Sequence, residues 1–172
     1  VHAGTELAAL ESLLGGITTS LDMYYLPDAA LVVAKTSGMR IQTGPNFLET
    51  DGPEPLKFND RLTWAEKWLE APRDELGSTG WVAPHSTYLL GEDQLRTLAA
   101  LAAKYEARIH VHAAETVGEM QLVANRHGGR TPIQVLNDTN LLRRSVLAHG
   151  VHLSDEDIQL IAQNSATVVH CP

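Results

Sequence analysis

RIHVHAAET, residues 108–116, alternates in a way that packing alone does not explain. Ile109, Val111 and Ala113 form the apolar side of a short strand, and period-2 geometry puts His110 and His112 together on the other side. Glu115 follows within three residues. Buried polar groups are costly unless partnered, so two imidazoles on one strand face with a carboxylate just beyond point to a site.

The neighbouring segments repeat the pattern. Short β-rich runs end in histidine four times in succession: GWVAPH at His85, RIHVHAAE at His112, SVLAHG at His149 and TVVHCP at His170. Between them lie helical stretches, among them the amphipathic EDQLRTLAALAAKYE and SDEDIQLIAQNS, where Ser154 and Asp157 suit a capping arrangement. Upstream, ELAALESLLGG reads as a helix before the strand ITTSLDMYY; PDAALVVAKTSG, opened by Pro27 and closed by Gly38, reads as a helix before RIQTG. Residues 45–60 carry three prolines and no period, which predicts a long loop ahead of the helix RLTWAEKWLEA.

Six strands interleaved with helices at about 30 residues per unit imply a parallel sheet covered by helices. The residues leave two architectures open, a doubly wound sheet and part of a (β/α)8 barrel. In both, the C-terminal strand ends share one face, so the four histidines should converge. Neutral imidazole binds zinc or iron, and a metal with an open position lowers the pKa of its water to about 7. A neighbouring carboxylate such as Glu115 can then move protons. His112 lies nearer the rim than His110, which belongs to a deeper layer or orients its neighbour. His127, before Gly128-Gly129, and His152 read as structural, and Cys171 as a buried thiol.

Composition bounds the rest. The 172 residues suffice for one domain, and the formal net charge of −8 with dispersed basic residues argues against nucleic-acid or anionic-membrane partners. No apolar run approaches the roughly 18 residues of a membrane span. One cysteine fits a reducing compartment, so a cytoplasmic location is the expectation. The chain opens on Val1 and stops at Pro172 directly after TVVHC, and so reads as a piece of something longer.

LLGGITTSLDMYY, APHSTY, RIHVHAAET, VLAHGVHLSDEDI and ATVVHCP, in this order, resemble the amidohydrolase superfamily. Within it they are most similar to the cytosine/guanine-type deaminases and chlorohydrolases, the branch that includes the 5-methylthioadenosine/S-adenosylhomocysteine deaminases. The resemblance implies a single partial domain over 1–172, a metal-dependent-hydrolase (β/α)8 TIM barrel that lacks strands 1 and 8. It implies that His112 is a metal ligand, Glu115 the proton shuttle, and His149 a group that contacts substrate or the attacking water. His85 and Arg61 would bind substrate. The cofactor would be one divalent metal, zinc ahead of iron, and the substrate a small heterocycle.

The family's strand-1 H-x-H and strand-8 Asp have no counterpart here, and RIQTGPNF has no arginine at the place where homocysteine-binding deaminases tend to carry one. Open strand edges are an aggregation hazard, which an edge-pairing homo-oligomer would relieve. The expected function is hydrolytic deamination of a purine or related heterocycle. An inactive barrel fragment and a non-catalytic ligand-binding α/β module are the competing readings.

Overall fold

A computed structural model describes residues 1–49, 53–54, 57–71, 77–78 and 80–172. Helix α1 (His2–Leu14) leads to β1 (Thr19–Leu21), α2 (Pro27–Ser37), β2 (Arg40–Gln42), β3 (Asn46–Phe47) and α3 (Phe58–Glu70). Then come β4 (Gly77–Ser78), β5 (Trp81–Pro84), α4 (Glu92–Lys104), β6 (Arg108–Ala113), α5 (Val117–Arg126), α6 (Pro132–Asp138), β7 (Val146–His149), α7 (Asp155–Gln163) and β8 (Thr167–Val169). None of the helices among the described residues is long and apolar enough to cross a membrane.

Local chemistry explains the helix ends. Pro27 occupies the first turn of α2 and Gly38 closes it in the left-handed region. Ser154 and Asp157 form the expected capping box on α7. Residues 45–60, expected to be loop throughout, contain β3 and the start of α3; positions 50–52 and 55–56 lie outside the described residues. The loop expectation fails at Phe47 because that side chain is fully buried and its backbone pairs with Pro84.

All strand pairs are parallel, in the orders β1-β2-β4 and β3-β5-β6-β7-β8. β2 and β3 are one run interrupted at residues 43–45, and they pair respectively with β4 and β5. The segments therefore make six runs, each beside the next in sequence. A doubly wound sheet reverses its strand order at a switch point; this order does not, and it matches a stretch of barrel wall. β1 and β8 each have one pairing partner among the described residues.

The faces of β6 divide as its alternation demands. Ile109, Val111 and Ala113 join Val82, Leu147 and the helical residues Leu95, Leu98, Val123, Leu136 and Ile161 in the main core. The opposite face stacks Arg108 over the Trp81 ring, then His110 edge-on to Trp81, then His112. A smaller cluster packs Ala9, Ala30, Val33, Ala34, Met39 and Ile41 between α1, α2 and β2.

The interruption between β2 and β3 depends on Gly44, where a Cβ would lie 2.1 Å from the Trp81 carbonyl oxygen and 2.7 Å from its carbon. Backbone cannot yield as a flexible side chain can. Gly44→Ala is expected to destabilise the chain by roughly 3 kcal/mol, the upper end of overpacking costs. Denaturant unfolding of both proteins checks this, and an unchanged midpoint would contradict the close approach.

Candidate active site

The site begins with one carbonyl. His85 follows β5, and its backbone oxygen accepts from the His112 amide at 3.1 Å and from His112 Nδ1 at 2.9 Å. A carbonyl can only accept, so Nδ1 carries a proton, and in the neutral ring His112 Nε2 then keeps its lone pair. The same logic applies to His149, whose Nδ1 donates to the Cys171 carbonyl at 2.9 Å, and to His170, whose Nδ1 donates to the His149 carbonyl at 3.1 Å.

The strand register gathers these rings. His112 lies opposite Ala148, and Ala113 opposite His149. The His112 ring centroid is 4.8 Å from that of His85 and 5.5 Å from that of His149, with the latter pair stacked. Glu115 Oε1 stands 3.6 Å from His149 Nε2. An imidazole lone pair and a carboxylate oxygen facing each other form a place where one proton can be held between them.

Backbone geometry puts Glu115 there. Ala114 adopts φ 56° and His149 φ 81°, conformations that L-residues seldom take and that cluster at functional sites. Glu119, on the first turn of α5, holds this turn: its buried carboxylate accepts from the amides of Ala114 at 3.1 Å and Glu115 at 2.6 Å. Burial holds the Glu119 carboxyl above the ordinary carboxylate range, and the amides of Glu115, Ala114 and Thr116 offset only part of that rise. The Ala114 carbonyl in turn accepts from the amides of Val151 and His152, tying the loops after β6 and β7 together.

Burial also sets the charge of the rings. It lowers His85 to about 4, helped by the nearby His112 and opposed by Glu115. It lowers His110 to about 4 as well, with His112 adding to the effect. Both are therefore neutral at neutral pH. His110 is deeply buried, and its Nδ1 has no hydrogen-bond partner among the described residues.

His85, His112, Glu115 and His149 thus come together. Arg61 is engaged elsewhere: it is buried, and its guanidinium binds Glu54 Oε2 at 2.6 Å and the Glu54 carbonyl at 3.0 Å. Glu54 also accepts from the Leu26 amide, so this pair ties α3 to the loop after β1. A substrate contact from Arg61 would have to break that pair or use Nε, which has no partner among the described residues.

His127 is structural as expected, buried with Nε2 on the Thr87 carbonyl at 2.8 Å. Cys171 is exposed rather than buried, because it lies beyond the end of β8 with no element packed over it among the described residues. Glu119 escaped the sequence reading, although Thr116-x-x-Glu119 before an apolar run is a helix-start pattern that could have revealed it.

A bare Nε2 on a neutral ring is the form in which imidazole binds a divalent ion, so His112 suits a metal. Among the described residues, no three His, Cys, Asp or Glu groups are spaced to enclose one ion. His112 therefore offers a single ligand.

A model of the amidohydrolase family matches residues 1–172, the full length. The chain belongs to the amidohydrolase family. Two similar relatives are named 5-methylthioadenosine/S-adenosylhomocysteine deaminase. The one from Symbiobacterium thermophilum is 35% identical over 100% of this chain and 40% of its own length, and the one from Pyrococcus abyssi is 32% identical over the same shares. The zinc-bound crystal structure of an adenosine deaminase from Xanthomonas campestris matches with a TM-score of 0.89 at 26% identity, over 99% of this chain and 39% of that one. This amidohydrolase chain spans about 40% of the length of the curated relatives it matches. Its six parallel runs are part of the family's barrel, not closed on themselves.

The lowered histidines make stability depend on pH. Above pH 6.5, folded and unfolded chains bind the same protons at His85 and His110, and neither ring affects stability. As pH falls from 6.5 towards 4, the unfolded chain takes up protons that the fold refuses, and stability falls. For the deeply buried His110, lowered from 6.5 to about 4, the loss reaches roughly 3 kcal/mol by pH 4. Urea unfolding at pH 7 and pH 4 should show a smaller loss for His110→Gln than for the parent; an equal loss would contradict the assignment.

Proposed function

We propose that this chain carries the proton-handling part of a deaminase active site, and that the protein hydrolytically removes an amino group from a purine or a related heterocycle. The observation that carries this reading is the 3.6 Å approach of Glu115 to His149, beside a His112 ring with its Nε2 free. A divalent metal, zinc in the first instance, would be held by His112; bound there, it would supply Lewis acidity and make water more acidic.

The chain's own residues do the rest. Glu115 takes a proton from water as the oxygen adds to the ring carbon, and delivers it to the departing nitrogen. When the proton shared between Glu115 and His149 rests on His149 Nε2, that N–H donates to the charge that develops at that carbon's substituents. Neutral His85 faces the substrate, with the Tyr88 ring edge-on behind it at 6.1 Å. The carbon–nitrogen bond breaks and ammonia leaves with the proton that Glu115 delivers, the added hydroxyl's remaining proton passes to the adjacent ring nitrogen so that a carbonyl remains, and Glu115 returns to its starting state. The names of the deaminase relatives support this choice of leaving group, and the zinc in the adenosine deaminase neighbour supports the choice of metal.

Two measurements on the purified chain test the reading: zinc uptake by elemental analysis, and ammonia release from adenosine and 5-methylthioadenosine. His112→Ala should lose the zinc, whereas Glu115→Gln should keep it and lower turnover by about 10²–10⁴. A parent chain that binds no zinc and releases no ammonia would favour the inactive-fragment reading, in which His112 alone does not hold the ion. Turnover unaffected by Glu115→Gln would overturn the assigned role of Glu115.

A further inference from the structure

The opposite ends of the strands carry a second feature, independent of the deaminase reading. A cavity of about 660 Å³ lies where α4 ends and β6 begins, lined on one side by Ala99, Ala102 and Ala103 and on the other by Asn140, Arg143 and Arg144. Arg108 and Glu106 complete it. A neighbouring cavity of about 540 Å³ shares Ala99, Asn140 and Arg143 and adds Arg96. At about 3.3 Å per residue, Arg108 and His112 are separated by roughly 13 Å of strand, so this groove is distinct from the histidine cluster.

Its charge runs against that of the chain. The sequence has 21 acidic and 13 basic residues, yet four arginines line the joined cavities against one acid, Glu106. Screening confines such an effect to about 8 Å at physiological salt, so the local arginines and not the net charge set the sign here.

Arginines at helix C-termini often serve the exposed carbonyls. Arg96 does so, donating to the Asp138 carbonyl at 2.7 Å, and it also pairs with Glu92 at 3.6 Å. Arg108 lies over the Trp81 ring. The guanidinium groups of Arg143 and Arg144 have no hydrogen bond or ion pair among the described residues, although both are exposed beside the cavity. Two adjacent unpaired guanidinium forks suit bidentate capture of phosphate or carboxylate, and the alanine face of α4 leaves room for an apolar body.

We propose that this groove binds a small organic dianion, a phosphomonoester or a dicarboxylate. The anionic end is held by Arg143 and Arg144, and the organic body lies along Ala99, Ala102 and Ala103.

The test is an amide NMR titration of the full 172-residue chain with phenyl phosphate and, separately, with phthalate; phenol is the neutral control. Saturable shifts at residues 106–109 and 140–144 are expected with at least one dianion and not with phenol, and the dianion that binds distinguishes phosphate from carboxylate. The double variant Arg143→Ala/Arg144→Asn should weaken binding by about tenfold or more. Asn is chosen because Arg144 sits at φ 55°, which Asn tolerates, and an unchanged spectrum elsewhere shows that the variant folds. No saturable shift with either dianion, shifts confined to the histidine end, or undiminished affinity in the double variant would each overturn the proposal.

Discussion

The His85 carbonyl, which accepts from both the amide and the ring of His112, is the interaction on which the site depends. The amide bond extends the β5–β6 ladder past the last regular pair, and the ring bond fixes the imidazole tautomer. Strand pairing and ligand chemistry are thereby one constraint. A slip of one residue would send His112 to the helix-covered face and bring Val111 or Ala113 to the rim. The apolar alternation of Ile109, Val111 and Ala113 in the core opposes such a slip, so the hydrophobic pattern holds the histidine cluster in register.

Burial then selects the charge state. His85 and His110 are kept neutral chiefly because the charged form is poorly solvated, and the nearby His112 reinforces this. Rings whose centroids lie 4.8 to 6.0 Å apart could not all be cationic without strong repulsion. Supporting bonds come from outside the strands. Glu119 fixes the turn that carries Glu115, while His127 and Arg126, at the end of α5, hold the carbonyls of Thr87 and Tyr88 in the loop that follows His85.

Much of this was legible in the sequence because strand ends, helix caps and alternation are local signals. All six strand runs, the four rim histidines and Glu115 follow from periods and turn residues alone. The local patterns left the barrel and the doubly wound sheet open; the family resemblance implied the barrel, and the strand order, which no local pattern contains, agrees with it. Three features stayed hidden for physical reasons. The break at Gly44 depends on a backbone contact with Trp81, far away in sequence. Arg61, which the resemblance made a substrate contact, is buried against Glu54 by a pairing that only the folded chain brings about. Glu119 resembles an ordinary first-turn acid until its carboxylate is seen on the amides of Ala114 and Glu115.

One shared carbonyl sets the tautomer of His112, and with it the lone pair that the site offers. Long-range proton–nitrogen NMR correlation of the imidazole rings near neutral pH tests this most directly. The expected result is a His112 ring that carries its proton on Nδ1 and has a bare Nε2. A proton on Nε2 of His112, with Nδ1 bare, would contradict it.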